Sequence, residues 1–257
     1  MPARGEVRFE NVTFHYPSRP DTPALERFTL EVPAGQLVAV VGPNGAGKST
    51  LVKLVCRLYD PEQGTVELDG VDVRRLELDA VRRSITVLMQ APVHFGETLA
   101  DNVRLGDLAR AGDDGAVADA VRAAGADAVA GRLPHGAGTM LGPWFEGGVE
   151  LSAGEWQRVA LARAFYRAAP VVLLDEPTSA MDSWAEQAWL ERFRALVAGR
   201  TAVVVTHRFT TAMRADVIHV VADGRVVESG SHGELLARGG RYAASWHGQL
   251  GAAPAVS

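Results

Sequence analysis

Two stretches of this chain hold residue types at spacings suited to phosphate chemistry. The first runs from Gln36 to Leu54, QLVAVVGPNGAGKSTLVKL. Leu37 to Val41 read as a buried strand, Gly42 to Ser49 match G-x-x-x-x-G-K-[ST], and Leu51, Leu54, Val55 and Leu58 recur at helical spacing. A strand, a glycine loop and a helix in that order distinguish a phosphate-binding P-loop from a chance match. Gly42, Gly45 and Gly47 let the backbone curl, so that successive N–H groups form a nest for oxyanions. The helix N-terminus adds free donors and a partial positive charge. Lys48 is then placed to reach β- and γ-phosphates, and Ser49 to offer a hydroxyl to Mg²⁺. The second stretch is LLDEPTSAMD, residues 173–182. Asp175 falls where an apolar strand ends, which in a parallel sheet is the ligand-binding edge. Its carboxylate suits Mg²⁺. Glu176, the next residue, is a second carboxylate, able to take a proton from an attacking water.

These residues need a sheet to hold them at one edge. Residues 6–16 alternate as a strand, with Val7, Phe9, Asn11 and Thr13 on one face and Arg8, Glu10, Val12 and Phe14 on the other. A proline-rich loop at 17–23 and a strand over 28–32 follow, and Pro33-Ala34-Gly35 turns the chain into the P-loop strand. Further strands are predicted at 65–68, 85–89, 171–174, 201–205, 217–221 and 225–228. Helices are predicted over 152–168, 183–197, 232–238 and 240–248. Continuous apolar runs such as Val171–Leu174 are those of strands buried on both faces. Between about 91 and 165 strand-like runs vanish, and Val117, Val121 and Val129 punctuate short helical stretches around a main loop at 131–148. The expectation is an α/β fold with a mostly parallel sheet, an N-terminal antiparallel β subdomain and a helical insertion. All 257 residues form one domain in this reading: catalytic core 1–90 and 166–250, helical subdomain 91–165, and a disordered tail 251–257.

Gly42–Thr50, Gln90, Leu151–Arg158, Leu173–Asp182 and His207 stand in the order and approximate spacing of the ATP-binding cassette (ABC) ATPases. The resemblance spans about residues 5–250, and it is to the nucleotide-binding domains of exporters, built on a P-loop NTPase core. It implies that ATP is bound by the loop residues Gly42, Pro43, Asn44, Gly45, Ala46, Gly47, Lys48, Ser49 and Thr50, with Tyr16 stacked on adenine. It implies Mg²⁺ on Ser49, Gln90 and Asp175, Gln90 also sensing a transmembrane partner, and catalysis by Glu176 with Lys48, Gln90 and the switch histidine His207. Ser179–Asp182 resemble the loop that crosses the dimer interface, and Glu146-Gly147-Gly148 the segment that meets coupling helices. Read without the resemblance, Tyr16 caps a strand and His207 is a core histidine.

The family signature LSGGQ reads Leu151-Ser152-Ala153-Gly154-Glu155 here. Ser152 and Glu155 also spell a capping box, so the helix start is retained. Ala153 falls at the first helical position, where negative φ costs an L-residue nothing. In the family the signature residues, here Ser152, Gly154 and Glu155, cover the γ-phosphate held by another subunit. A carboxylate facing that phosphate offsets part of the helix's attraction for it; one turned to the ribose accepts hydroxyl hydrogen bonds. The residues leave both orientations open.

A net charge of −5 gives no electrostatic case for nucleic-acid binding. Cys56 is alone, so no disulfide framework exists and a reducing compartment fits; in an apolar helix it reads as a small core residue. No run approaches the ~18 apolar residues of a transmembrane helix, and the N-terminus lacks a signal-peptide core. The expected function is the ATP-hydrolysing motor of an ABC exporter. It would dimerise around ATP with a second nucleotide-binding domain, identical or different, and act at the cytoplasmic face of the membrane through a transmembrane partner. A chain that begins just before its first strand is expected to be a separate subunit or a domain of a longer transporter chain. The alternatives are a soluble, non-transport ABC ATPase and a slow regulatory nucleotide-binding module.

Overall fold

The computed structural model describes residues 4–110, 112–181 and 183–251. In chain order the strands are β1 (Val7–Phe14), β2 (Leu25–Val32), β3 (Leu37–Val41), β4 (Gln63–Leu68), β5 (Val71–Asp72) and β6 (Ile85–Leu88). They continue with β7 (Val171–Asp175), β8 (Thr201–Val205), β9 (Val217–Ala222) and β10 (Arg225–Gly230). The helices are α1 (Lys48–Val55), α2 (Leu78–Arg83), α3 (Leu99–Arg104), α4 (Asp114–Ala123) and α5 (Asp127–Arg132). After them come α6 (Ala153–Tyr166), α7 (Ser183–Leu196), α8 (Phe209–Ala212), α9 (His232–Arg238) and α10 (Arg241–Gly251). Two compact units result: residues 1–85, 170–175 and 199–257, and residues 86–169 and 176–198. The expected helical segment 91–165 lies inside the second unit, which also takes in α7.

The first unit holds the antiparallel sheet β2-β1-β4-β5 and the run β10-β9-β3-β8-β7, in which β3 pairs with β8 and β9 in parallel, β7 pairs with β8 in parallel, and only β10 is antiparallel. β3, β7 and β8 are buried at every position, as their unbroken apolar runs require. β1 departs from simple alternation. A bulge between Phe9 and Val12, with Asn11 at φ +49°, inserts one residue and reverses the phase. Val7, Phe9, Val12 and Phe14 are therefore all buried, where strict alternation set the last two opposite the first two.

α1 also differs from expectation. It stops at Val55; Arg57 turns left-handed at φ +49°, and Leu58 returns its N–H to the Lys53 carbonyl. That is a Schellman-type ending, and it leaves Leu58 48% exposed instead of on the helix's buried face. The Arg57 guanidinium fixes the turn by donating to the Val73 and Leu76 carbonyls.

The second unit is helical. α6 begins on Ser152 with both halves of the predicted capping box formed, and ends at Tyr166, where Arg167 is already extended. The segment expected as a loop from 131 starts later, because Gly131 and Arg132 close α5. Residues 252–257, most of the tail expected to be disordered, lie outside the described residues, and Gly251 ends α10. Cys56 is buried.

Candidate nucleotide-binding site

Strand register brings the first group of site residues to one edge. Val40 of β3 stands beside Val205 of β8, and Val205 beside Asp175 of β7. The carboxyl ends of three parallel strands thus lie level. From β3 springs the glycine loop, Asp175 ends β7, and two residues past the end of β8 comes His207, exposed. In open α/β sheets this edge is where ligands bind.

The loop's conformation follows from its glycines. Gly42, Gly45 and Gly47 take φ of +150°, +81° and +99°. A Cβ on Gly42 would strike the Val221 carbonyl, and one on Gly47 the Ala24 carbonyl, so both also serve close backbone packing. Gly47 is the N-cap of α1 and supplies no side-chain cap. The Lys48 Nζ folds back over the loop and donates to the Gly42 and Pro43 carbonyls at 2.8 and 2.9 Å. Its ammonium is held beside the nest by the loop itself. Pro43, Asn44 and Gly45 are exposed at the rim, Ala46 and Thr50 are buried, and Ser49 is half-buried. This curled, glycine-rich cradle with a cation at its mouth fits a phosphate chain. A serine hydroxyl and a strand-end carboxylate in the same unit fit a hard, oxygen-seeking cation.

Tyr16 is half-buried, its hydroxyl 3.0 Å from the Thr50 Oγ1. Phe14 and Tyr59 both meet its ring edge-on, and the Lys53 ammonium lies 4.9 Å from its centroid. The ring is oriented from three sides.

The remaining site residues belong to the second unit: Gln90, Ser152, Gly154, Glu155 and Glu176. Gln90 is exposed just past the end of β6. Glu176 is buried and sits at φ +52°, a left-handed backbone that is costly for a side-chain-bearing residue, here directly before Pro177. The Gln157 amide, itself buried, donates to the Pro177 carbonyl at 3.1 Å and ties the segment after Glu176 to α6. Thr178 is buried against Glu186. Asp182, one end of the expected interface loop, lies outside the described residues.

At the signature, Ser152 Oγ accepts the Glu155 N–H and Glu155 Oε2 accepts the Ser152 N–H at 2.9 Å. Glu155 Oε1 pairs with Arg132. Burial pushes the Glu155 carboxyl up, but the Ser152 bonds and the Arg132 charge outweigh it and hold the group below its ordinary value. So the carboxylate turns back on its own helix, as the capping box predicts, with Arg132 as a partner the motif does not contain. Ala153 keeps a negative φ and is exposed, whereas a Cβ on Gly154 would come within 2.9 Å of the Ala180 carbonyl.

Sequence reasoning missed several supports of α6. His94 stacks on Trp156 with centroids 4.2 Å apart, and the Trp156 Nε1 donates to Glu150. Arg163 donates to the Val93 and Asn102 carbonyls and lies over the Phe95 ring; burial lowers its pKa to about 10. Gln157 and Trp156 adjoin the signature and were open to suspicion on that ground. Arg132 carried no signal, standing some twenty residues away in what reads as a loop.

A glycine nest at the carboxyl edge of a parallel sheet, followed by lysine and serine at the start of a helix and joined by an aspartate on a strand in register, defines a P-loop nucleotide-binding protein. The comparisons narrow this. A family model described as "ABC transporter" matches residues 25–179. The ATP-dependent lipid A-core flippase of Thiobacillus denitrificans is 43% identical over 239 residues, covering 93% of this chain and 40% of the flippase. ABC transporter B family member 19 of Arabidopsis thaliana is 44% identical over 239 residues, covering 91% of this chain and 18% of that protein. A solved bacterial Atm1-family ABC exporter with ATP bound superposes with a TM-score of 0.90 at 38% identity, covering all of this chain and 43% of that one. The chain belongs to the ABC transporter family, and it spans less than half the length of these relatives. Among the described residues no helix is long and apolar enough to cross a membrane.

Proposed function

We propose that this chain is the ATP-binding and ATP-hydrolysing motor of an ABC exporter, working as a pair of nucleotide-binding domains beneath a transmembrane partner. One observation carries the reading: the shared register of β3, β7 and β8, which sets the glycine loop, Asp175 and the approach to His207 on one sheet edge. The likeness to an exporter solved with ATP bound supports the choice of nucleotide.

In this reading the loop N–H groups and Lys48 hold the phosphates, and Tyr16, oriented by Thr50, stacks on the base. Because Lys53 already lies over that ring, a stacked base takes the other face or displaces the ammonium. Ser49, Asp175 and Gln90 are the oxygen ligands for Mg²⁺, which when bound neutralises charge on the phosphates. Glu176 takes the proton of the attacking water. His207 and the Ser152 of a second copy donate to the transferring phosphoryl group, where preorganised donors act most strongly. The left-handed backbone at Glu176, held by the Gln157–Pro177 bond, fixes where the carboxylate projects.

The membrane partner is proposed from the 142–148 loop. Trp144, 86% exposed, and the half-exposed Phe145 project beside Glu146-Gly147-Gly148, an aromatic tip suited to coupling helices. In this reading the chain acts at the cytoplasmic face of a membrane, attached through that partner. The test is ATP hydrolysis by the purified chain, alone and rejoined to a transmembrane exporter domain. Mg²⁺-dependent turnover that changes with the membrane domain is expected; no turnover in either form overturns the reading.

A further inference from the structure

The acid in the signature has a partner that the motif does not contain. Arg132 is the last residue of α5, and its guanidinium pairs with Glu155 Oε1 at the first turn of α6. Glu155 Oε2 is taken by the Ser152 N–H, so both carboxylate oxygens are engaged within the chain. The two side chains are unequally covered. Arg132 is 64% exposed and Glu155 21%, which makes the guanidinium the outer member of the pair. A lone carboxylate in a helix's first turn weakens the pull of that terminus on an anion. An arginine on its solvent side cancels that effect, and its five-donor fork retains N–H groups beyond the one on Glu155.

We propose that Arg132 is a positioning and charge-compensating residue of the signature. It holds Glu155 back as a cap, and it presents a cation, in place of the acid, to the nucleotide of the second copy. This rests on the reading that the signature covers a second copy's ATP. The drift from glutamine to glutamate is then electrically silent, provided that position 132 carries a positive charge.

A double-mutant cycle tests this in a Glu176→Gln background, where ATP is bound and not consumed. The readout is the ATP concentration that half-dimerises the chain, followed by light scattering at low and at high salt. Arg132→Ala, and Arg132→Gln with its longer stem, should raise that concentration ~3–10-fold at low salt, the scale of coupling between contacting residues. The effect should shrink at high salt, where screening is strong. Glu155→Gln, which keeps a side chain able to close the capping box, should lower the concentration, because Arg132 then acts unopposed. The double variant should return close to the parent.

Three results overturn the proposal. In the first, dimerisation is unchanged in both Arg132 variants while the melting temperature of the nucleotide-free chain falls, which marks the pair as structural only. In the second, the Arg132 defect persists in the double variant or is equal at both salt concentrations. The third is a parent that binds ATP and never dimerises; that removes the functional reading itself, and this proposal with it.

Discussion

The phosphate loop and the signature are both glycine-bearing turns that open a helix, yet one matches its motif and the other departs from it. The structure gives the reason. In the loop, Gly42 and Gly47 have positive φ and face the Val221 and Ala24 carbonyls, so no other residue fits. In the signature, position 153 is exposed and takes an ordinary helical φ, so alanine costs nothing. Gly154 alone presses on backbone, at Ala180. Position 155 changed charge, and Arg132 absorbs the change. Where backbone packs against backbone the motif is kept. Where a side chain points outward, or meets a side chain that compensates, it drifts.

The sharpest way to break this comparison is at Glu176. Glu176→Gln should lower hydrolysis by ~10²–10⁴-fold with ATP binding retained, because it removes the proton acceptor and leaves the loop alone. Near wild-type turnover in a purified variant contradicts the assignment. Lys48→Ala should act on binding itself, weakening ATP by about 10–100-fold in a titration, since a charge-assisted contact to the phosphates is lost. Unaltered affinity would place the nucleotide elsewhere. Tyr16→Ala should weaken ATP and GTP alike by roughly 1–3 kcal/mol, as loss of base stacking does in nucleic-acid complexes. A change confined to ATP would mean that hydrogen bonds, not the ring, read the base. The smallest effects separate the signature's two small residues. Gly154→Ala should destabilise the chain by about 1–2 kcal/mol in urea unfolding through its clash with Ala180. Ala153→Gly should change stability by less than about 1 kcal/mol. Equal effects would erase the distinction drawn above.

Much of this was legible in the sequence because it is local. The apolar run 37–41, the glycines after it and the Ser152–Glu155 box each lie within a few residues of their partners, so spacing carried the information. Register between β3, β8 and β7 was not written locally, but buried parallel strands ending in site residues made a common edge the natural arrangement. Three features escaped for physical reasons. The left-handed turn at Arg57 uses a residue that rarely takes positive φ, and the bulge at Asn11, though asparagine tolerates that region, interrupts a run that otherwise alternates, so periodicity marks neither. The Arg132–Glu155 pair joins the end of one helix to the start of another, across a segment whose path no periodicity predicts.

The central claim is that ATP joins two copies of this chain, each P-loop covered by the other's signature. The direct measurement is the solution mass of the Glu176→Gln chain by light scattering, with and without ATP and Mg²⁺. The account predicts a particle of one chain's mass without nucleotide and of twice that mass with it, reverting when Lys48→Ala is added. A chain that binds ATP tightly and keeps the single-chain mass at saturation contradicts it.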